Sequence, residues 1–419
     1  MMLVVFLVFV LCIALGLPLV YAMGLAGFLG SAHLSPTILA QQLFLGLNNF
    51  AYVAIPLFII MGNLMTECGL TLRLVNFANA LFGHFRGGLA IVCMAAGAFF
   101  AAISGSSVAS TASLGSILIP SMKNEGYDAG FAGAVVAAAG SLGPIIPPSI
   151  LLVIYASQVG VSVGAMFAAG IAPGVLSSLL YIIVASRIAR KRNYPPHPKA
   201  TLGEVKTSII AALPALIVPA LILAGVCFGV FTVTESAGIA SIYALLFCLI
   251  VRVRGRVIGQ VALSAFRETA AITFVIGASS VIAWVITRAQ VPQSLVNFVV
   301  AQNLPWILVF LFINVLLIVF GMFLAPAAAL VLATPLLLPL AKAYGMGSIQ
   351  FGMLMVYNLN LGILTPPVAI SLFMNAKMSG TTFEVQVREA LPFLVISFIV
   401  LILLNVFPWM STGLVNLMR

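Results

Sequence analysis

Two stretches decide the fold: Gly143-Pro144-Ile145-Ile146-Pro147-Pro148-Ser149 and, 219 positions further on, Gly362-Ile363-Leu364-Thr365-Pro366-Pro367-Val368. Each interrupts an apolar segment. Glycine admits unusual backbone angles, and paired prolines remove amide donors and crowd the preceding turn, so a helix entering either stretch breaks there. Inside a bilayer a break frees carbonyls that lipid cannot satisfy. Such breaks survive where protein buries them or where they line a polar cavity, which is where transporters hold ions and substrate. The sequence therefore predicts two broken helices, over 129–157 and 348–378, at the centre of the molecule.

Composition supplies the bilayer. Apolar residues make up 63% of the 419 positions, charged residues 6%, and mean hydropathy is +1.25, outside the range of soluble domains. Apolar runs of spanning length recur from end to end, and no polar stretch is long enough to form a separate domain. The net charge of +10 is scattered singly or in short loop clusters. That pattern fits the positive-inside rule better than a nucleic-acid surface. Cys12, Cys68, Cys93, Cys227 and Cys248 show no paired or metal-ligand spacing and read as small hydrophobes. Residues 1–29 lack the basic start and cleavage pattern of a signal peptide and read as a retained first span, kinked at Gly16-Leu17-Pro18.

The breaks sit in a larger repeat. At the offset of 219, Pro120 matches Pro339, Lys123 matches Lys342, Gly126 matches Gly345, and Pro147-Pro148 match Pro366-Pro367. Two apolar stretches of hairpin length, 87–122 with Ser104-Gly105-Ser106-Ser107 near its middle and 305–343 with Gly321 to Pro326 at its tip, fall into the same register. Each flank is close to ~25 Å long as a helix, slightly short for crossing, which predicts re-entrant helical hairpins. More polar segments at 35–49 and 70–85 read as interfacial arms and align with 254–268 and 289–304. Spans are expected at 50–66, 163–187, 207–230, 236–251, 269–287 and 391–407. The turn Phe231-Thr232-Val233-Thr234-Glu235 carries a helix start at Thr234 and Glu235.

This is the sequence signature of an all-α polytopic membrane protein built from two repeats, 1–186 and 231–419, joined by a linker and connecting span at 187–230. If the linker is cytoplasmic, the odd connecting span inverts the second repeat, and only Arg288, Lys342 and Arg419 of the 18 Lys and Arg residues lie outside.

The eight acidic residues fall at segment ends or in loops on this segmentation, so no titratable group is expected within the membrane. Coupling to Na⁺ through neutral oxygens remains. The first candidate Na⁺ site joins Ser104, Gly105 and Ser106 at a tip to Gly143, Ile146 and Pro148 at a break; the second joins Gly321 and Ala325 to Gly362, Thr365 and Pro367. The competing reading is that these small residues only permit close helix packing. Ser107, Ser149, Tyr155, Asn358, Asn360 and Asn375 are candidates for the substrate cavity, with interhelical hydrogen bonding as the other reading of the two α-helical asparagines before the second break. Asn63 and Asn314 read as packing residues, and Trp284, Trp306 and Trp409 as interface anchors.

Together, Ile103-Ser104-Gly105-Ser106-Ser107, the Gly143 to Ser149 break, the Phe231 to Glu235 turn and Gly362-Ile363-Leu364-Thr365-Pro366-Pro367 resemble the large membrane subunit of tripartite ATP-independent periplasmic (TRAP) transporters. The resemblance covers nearly the whole chain, departing at Val233 and Ser236, where Pro and Ala are expected. It implies an elevator-type Na⁺ symporter of the bacterial inner membrane, working with a small four-helix membrane subunit and a periplasmic substrate-binding protein. Its implied substrates are organic acids such as C4-dicarboxylates, keto acids and sialic acids. A stand-alone Na⁺/dicarboxylate or citrate carrier is the nearest alternative. An intramembrane enzyme would need a catalytic cluster that the apolar segments do not contain, and a channel would not need two broken repeats.

Overall fold

The computed structural model describes residues 7–12, 15–17, 19–30 and 36–418. Pro18 of the expected first kink, the start of the 35–49 arm, His33 and Arg419 lie outside the described residues. The elements are helical throughout: α1 (Leu19–Gly30), α2 (Pro36–Leu47), a short 3-10 turn (Phe50–Val53) leading into α3 (Ala54–Glu67), and α4 (Leu70–Phe82). Then follow α5 (Gly88–Ser104), α6 (Ser107–Asn124), α7 (Ala129–Gly140), α8 (Ile150–Val159) and α9 (Val163–Lys191). A second series begins with α10 (Leu202–Cys227), α11 (Val233–Ile250), α12 (Gly255–Arg288) and α13 (Val291–Ala301). It ends with α14 (Trp306–Phe323), α15 (Pro326–Ala343), α16 (Ser348–Gly362), α17 (Ile370–Ser379), α18 (Phe383–Val406) and α19 (Trp409–Leu417).

Among the described residues, 8 helices are long and apolar enough to cross a membrane: Phe50–Glu67, α9, α10, α11, α12, α14, α15 and α18. The protein is an all-helical polytopic membrane protein. Helix starts recur at the sequence offset: α5, α6, α7, α8 and α9 begin within one residue of α14, α15, α16, α17 and α18 shifted back by 219. Gly126 and Gly345, one offset apart, both take left-handed backbone, φ 80° and 84°.

Local chemistry explains where several expected boundaries moved. Thr201 caps α10 in a reciprocal capping box with Glu204, so that helix starts ahead of the expected span. At the Phe231 turn the cap is Thr232, not Thr234, because Thr232 Oγ1 accepts from Glu235 N while the Glu235 side chain accepts from Thr232 N. Thr234 is thereby released to donate to Phe50 O (3.3 Å), and Ser241 donates to Leu57 O (2.7 Å). Both pairs are 184 residues apart, so α11 lies alongside α3 in parallel register.

That packing corrects the reading of the cysteines. Cys68 and Cys248, 180 positions apart, form a disulfide with Cα atoms 5.3 Å apart, within bridging range. Linear spacing carried no trace of the pair; two helices lying side by side create it. Cys12, Cys93 and Cys227 are free.

The expected arm at 254–268, from Gly255 on, and the expected span at 269–287 belong to one continuous helix, α12, of 34 residues. In the first series the corresponding segments are separate helices, α2 and α3, parted at Asn48 and Asn49, where Asn49 Oδ1 accepts from Ala51 N and caps the 3-10 turn. Position 268, one offset later, is Glu with Thr269 beside it, and no Gly or Pro interrupts 260–276. Glu268 therefore stands within a helix rather than at a segment end. Its mid-helix position departs from the expected segmentation.

Candidate functional site

The two breaks are held together by the helices that flank them. Tyr155 on α8 donates to Ser348 O (2.7 Å) at the start of α16 and lays its ring where a side chain on Gly352 would stand. Asn375 on α17 donates through Nδ2 to Gly133 O (2.9 Å) on α7. The second half of each broken helix thus packs on the first half of the other. At the crossing, Asn360 Nδ2 donates to Ser141 O (2.6 Å). Tyr155 and Asn375 are fully buried, so this structure places them in the interlock rather than on an open cavity. Tyr155 Oη and Asn375 Nδ2 are engaged by the main chain of the opposite segment, while Asn375 Oδ1 is buried without a partner.

Onto this crossed pair the two hairpins set their tips. Helices α5 and α6 turn at Gly105-Ser106, where Gly105 has φ 59° and a Cβ on it would stand 2.9 Å from Pro148 O. A Cβ on Gly143 would stand 2.7 Å from Ser106 O and 3.1 Å from Ser110 Oγ. Tip and break meet main chain against main chain, an approach that only glycine permits. Ser104 Oγ shares a hydrogen bond with Ser110 Oγ (2.5 Å) and donates to Ser106 O (3.2 Å). Ser106 Oγ accepts from Ala109 N (3.5 Å) as the cap of α6. Ile146 is half-buried, its side chain against Gly174.

Buried side-chain atoms without a protein partner occur in several parts of the described residues, and some of them lie at this contact and on α16. They include Ser107 Oγ, Thr111 Oγ1 and Ser149 Oγ around the first tip and break, and Asn358 Oδ1 and Asn360 Oδ1 on α16. Buried polar atoms ordinarily have partners, so hydroxyl and amide oxygens left over beside a broken helix are free to ligate a hard cation or a substrate hydroxyl. Ser110 and Thr111 were not expected here. Their signal was present, since Ser107, Ser110 and Thr111 fall at helical spacing on one face of α6.

The second contact is built the same way but without the serines. Helices α14 and α15 turn at Leu324-Ala325. A Cβ on Gly321 would stand 2.6 Å from Leu359 O, and one on Gly362 would collide with the Gly321 main chain. Thr365 donates to Leu361 O (2.8 Å) and keeps its lone pairs. Ala325 and Pro367 are exposed and Thr365 is half-buried, whereas Gly143 and Pro148 are buried. The first contact is closed and the second open. Asn358 Nδ2 donates to Asn314 Oδ1 (2.7 Å), and Asn314 Nδ2 to Asn405 Oδ1 (3.0 Å), an amide cluster that ties α16, α14 and α18 together. Pro147-Pro148 and Pro366-Pro367 are cis peptides.

A narrow cavity adjoins the first tip. Ser104 and Ser106 line it with Asn63 and Thr66 of α3 and Glu268 of α12. Neither Asn63 nor Glu268 appeared in the expected site.

With this geometry in hand, comparison with known proteins is specific. A family model described as the DctM component of the tripartite ATP-independent periplasmic transporter matches residues 5–410. The chain is 37% identical to the C4-dicarboxylate TRAP transporter large permease protein DctM of Pseudomonas aeruginosa, covering 94% of each chain. It is 35% identical to the sialic acid TRAP transporter large permease protein SiaM of Vibrio cholerae, covering 88% of this chain and 87% of that one. Among solved structures, the YdaH transporter of Alcanivorax borkumensis shares the fold with a TM-score of 0.63 at 16% identity, over 90% of this chain and 89% of that one.

Proposed function

Because the chain belongs to the DctM-component family of tripartite ATP-independent periplasmic transporters, we propose that its two tip–break contacts are the ion sites of a Na⁺-coupled symporter for an organic acid. The family comprises transporter permeases, not enzymes, and the protein is a multi-pass protein of the bacterial inner membrane. The observation that carries the ion reading is Ser107 Oγ, Thr111 Oγ1 and Ser149 Oγ, buried without partners where main chain meets main chain at the first contact; the second contact is assigned by the same glycine-mediated approach of main chain to main chain. Cation sites of this kind use neutral oxygens and freed carbonyls.

The substrate class comes from the relatives: one is a C4-dicarboxylate and another a sialic acid permease. An organic acid of that class, keto acids included, is delivered by a periplasmic binding protein, and a small four-helix membrane subunit completes the complex. Residues 1–186 and 231–419 act as inverted repeats around the connecting segment 187–230, with the 87–122 hairpin entering from the cytoplasm and the 305–343 hairpin from the other side. Hairpins and broken helices move together as one elevator body past α4 and α13. A stand-alone Na⁺/dicarboxylate or citrate carrier is disfavoured by near-full-length identity to TRAP permeases.

In proteoliposomes containing the whole complex, uptake should follow an inward Na⁺ gradient and persist when a proton gradient is collapsed at constant Na⁺ and membrane potential. Proton-driven uptake in Na⁺-free buffer would overturn the coupling.

Single ligand removals should read out as affinity. Thr365→Val and Ser106→Ala are each expected to raise the half-saturating Na⁺ concentration about tenfold, ~1.4 kcal/mol for one lost ligand. Ser106 also caps α6, so its alanine variant loses about 1 kcal/mol of stability and melts lower. Thr365→Val carries no cap loss and separates the two effects. Unchanged Na⁺ dependence in both would remove these side chains from the ligand set.

A further inference from the structure

Glu268 has no function in the reading above, yet it is the acidic side chain that the fold brings to a hairpin tip. It occupies a helix the sequence divided in two, and no cation or hydrogen-bond donor engages its carboxylate among the described residues. The cavity beside it measures about 10 Å³, room for the centre of roughly one water molecule. Its walls carry oxygens. Asn63 presents an amide with no side-chain hydrogen bond, Thr66 donates to Gly62 O (3.0 Å) and keeps its lone pairs, and Ser106 contributes from the tip. A carboxylate, an amide oxygen and hydroxyls around a space of that size form a donor set for a small hard cation.

The second repeat has no equivalent. One offset of 219 away, the counterparts of Asn63, Thr66, Ser104 and Ser106 are Ile282, Val285, Phe323 and Ala325. The counterpart of Glu268 is Asn49, which is already engaged: its Oδ1 accepts from Ala51 N (3.0 Å) and its Nδ2 donates to Ser157 O (3.3 Å). Packing thus consumes the amide at one position and leaves the carboxylate free at the other. The Glu268 side chain is otherwise exposed, so its carboxylate is open to a cation arriving from outside the tip.

We propose that Glu268, Asn63 and Thr66 form a further Na⁺ site between the first hairpin tip and helices α3 and α12, adjoining the first tip–break contact through the shared Ser106. It rests on the Na⁺-coupled reading above and extends it. Because α3 and α12 flank the tip while the tip belongs to the moving body, the site is complete only when the body lies in the position seen here. It is therefore a station at which an ion is held as it reaches or leaves the first tip–break contact.

The test is equilibrium binding of radioactive Na⁺ to the full chain purified with its small membrane subunit. Glu268→Gln should bind one Na⁺ fewer per chain than wild type, Asn63→Leu should weaken the same ion about tenfold, and Glu268→Asp should retain it. Monodispersity on gel filtration and the retained ion in Glu268→Asp guard against misfolding. If Glu268→Gln binds the same number of ions with the same affinity, the Glu268 site is overturned while the tip–break sites stand. If wild type binds no Na⁺, both fall. A Glu268→Gln variant that keeps every Na⁺ but loses a proton taken up on substrate binding would assign the carboxylate to proton transfer and overturn this site.

Discussion

Cross-linking helix α4 to helix α5 should arrest uptake completely and reversibly. The rings of Phe77 on α4 and Phe99 on α5 lie with centroids 5.5 Å apart, both half-buried, where the 70–85 arm meets the first hairpin. On the elevator reading this is a sliding surface between a fixed arm and a moving body. An apolar ring contact suits sliding, because no directional bond must break as one surface passes the other. Phe77→Cys and Phe99→Cys, introduced together into a chain lacking its five native cysteines and joined through disulfides by a short bis-methanethiosulfonate, should reduce uptake to background. Reduction of the link should restore it. The control pair is Gln158→Cys with Val331→Cys, where Gln158 Nε2 donates to Val331 O (2.8 Å) between α8 and α15, both inside the moving body. That link should leave uptake unchanged. Full uptake with a confirmed link between positions 77 and 99 would mean that arm and hairpin do not part.

What the sequence revealed and what it concealed divide along one physical line. The breaks were legible because Gly and paired Pro act on their own backbone, and the helices end accordingly at Gly140, just before Gly143, and at Gly362. The tip serines were legible for the same reason. Contacts that depend on two distant segments were not. Cys68 finds Cys248 only because α3 and α11 run in register. Tyr155 and Asn375 lie just beyond the breaks, and nearness along the chain suggests a cavity; what the chain does not show is that crossed packing engages Tyr155 Oη and Asn375 Nδ2 and leaves Asn375 Oδ1 without a partner. Glu268 was hidden by a boundary drawn one residue from it. The first repeat really does part its helices at the equivalent Asn49, so the analogy misled where the second repeat runs straight through.

Gly362→Ala should abolish uptake, and the neighbouring Gly347→Ala should not. Both glycines border α16, one at each end. A methyl group on Gly347 meets nothing within 4 Å, and its φ of −69° is open to any residue, so alanine there is neutral. A methyl group on Gly362 would enter the main chain of Gly321, which is itself pressed against Leu359 O. Neither partner can yield as a flexible side chain would, since both are backbone in helices that also carry the second contact. Overpacking of this kind costs about 1–3 kcal/mol, and on the proposed ion reading it acts where α14 and α16 close around the second ion. The expected outcome is a protein that reaches the membrane and melts several degrees lower, with uptake below about 1% of wild type, two decades or ~2.7 kcal/mol. Enlarging the opposite partner, Gly321→Ala, should produce the same loss, because the methyl fills the same gap from the other side. The double variant should then lose little more than either single one, the non-additivity expected of two groups sharing one contact. Wild-type uptake by Gly362→Ala would show that α14 and α16 need not approach this closely during transport, and the second ion site would have to be sought elsewhere on the two helices.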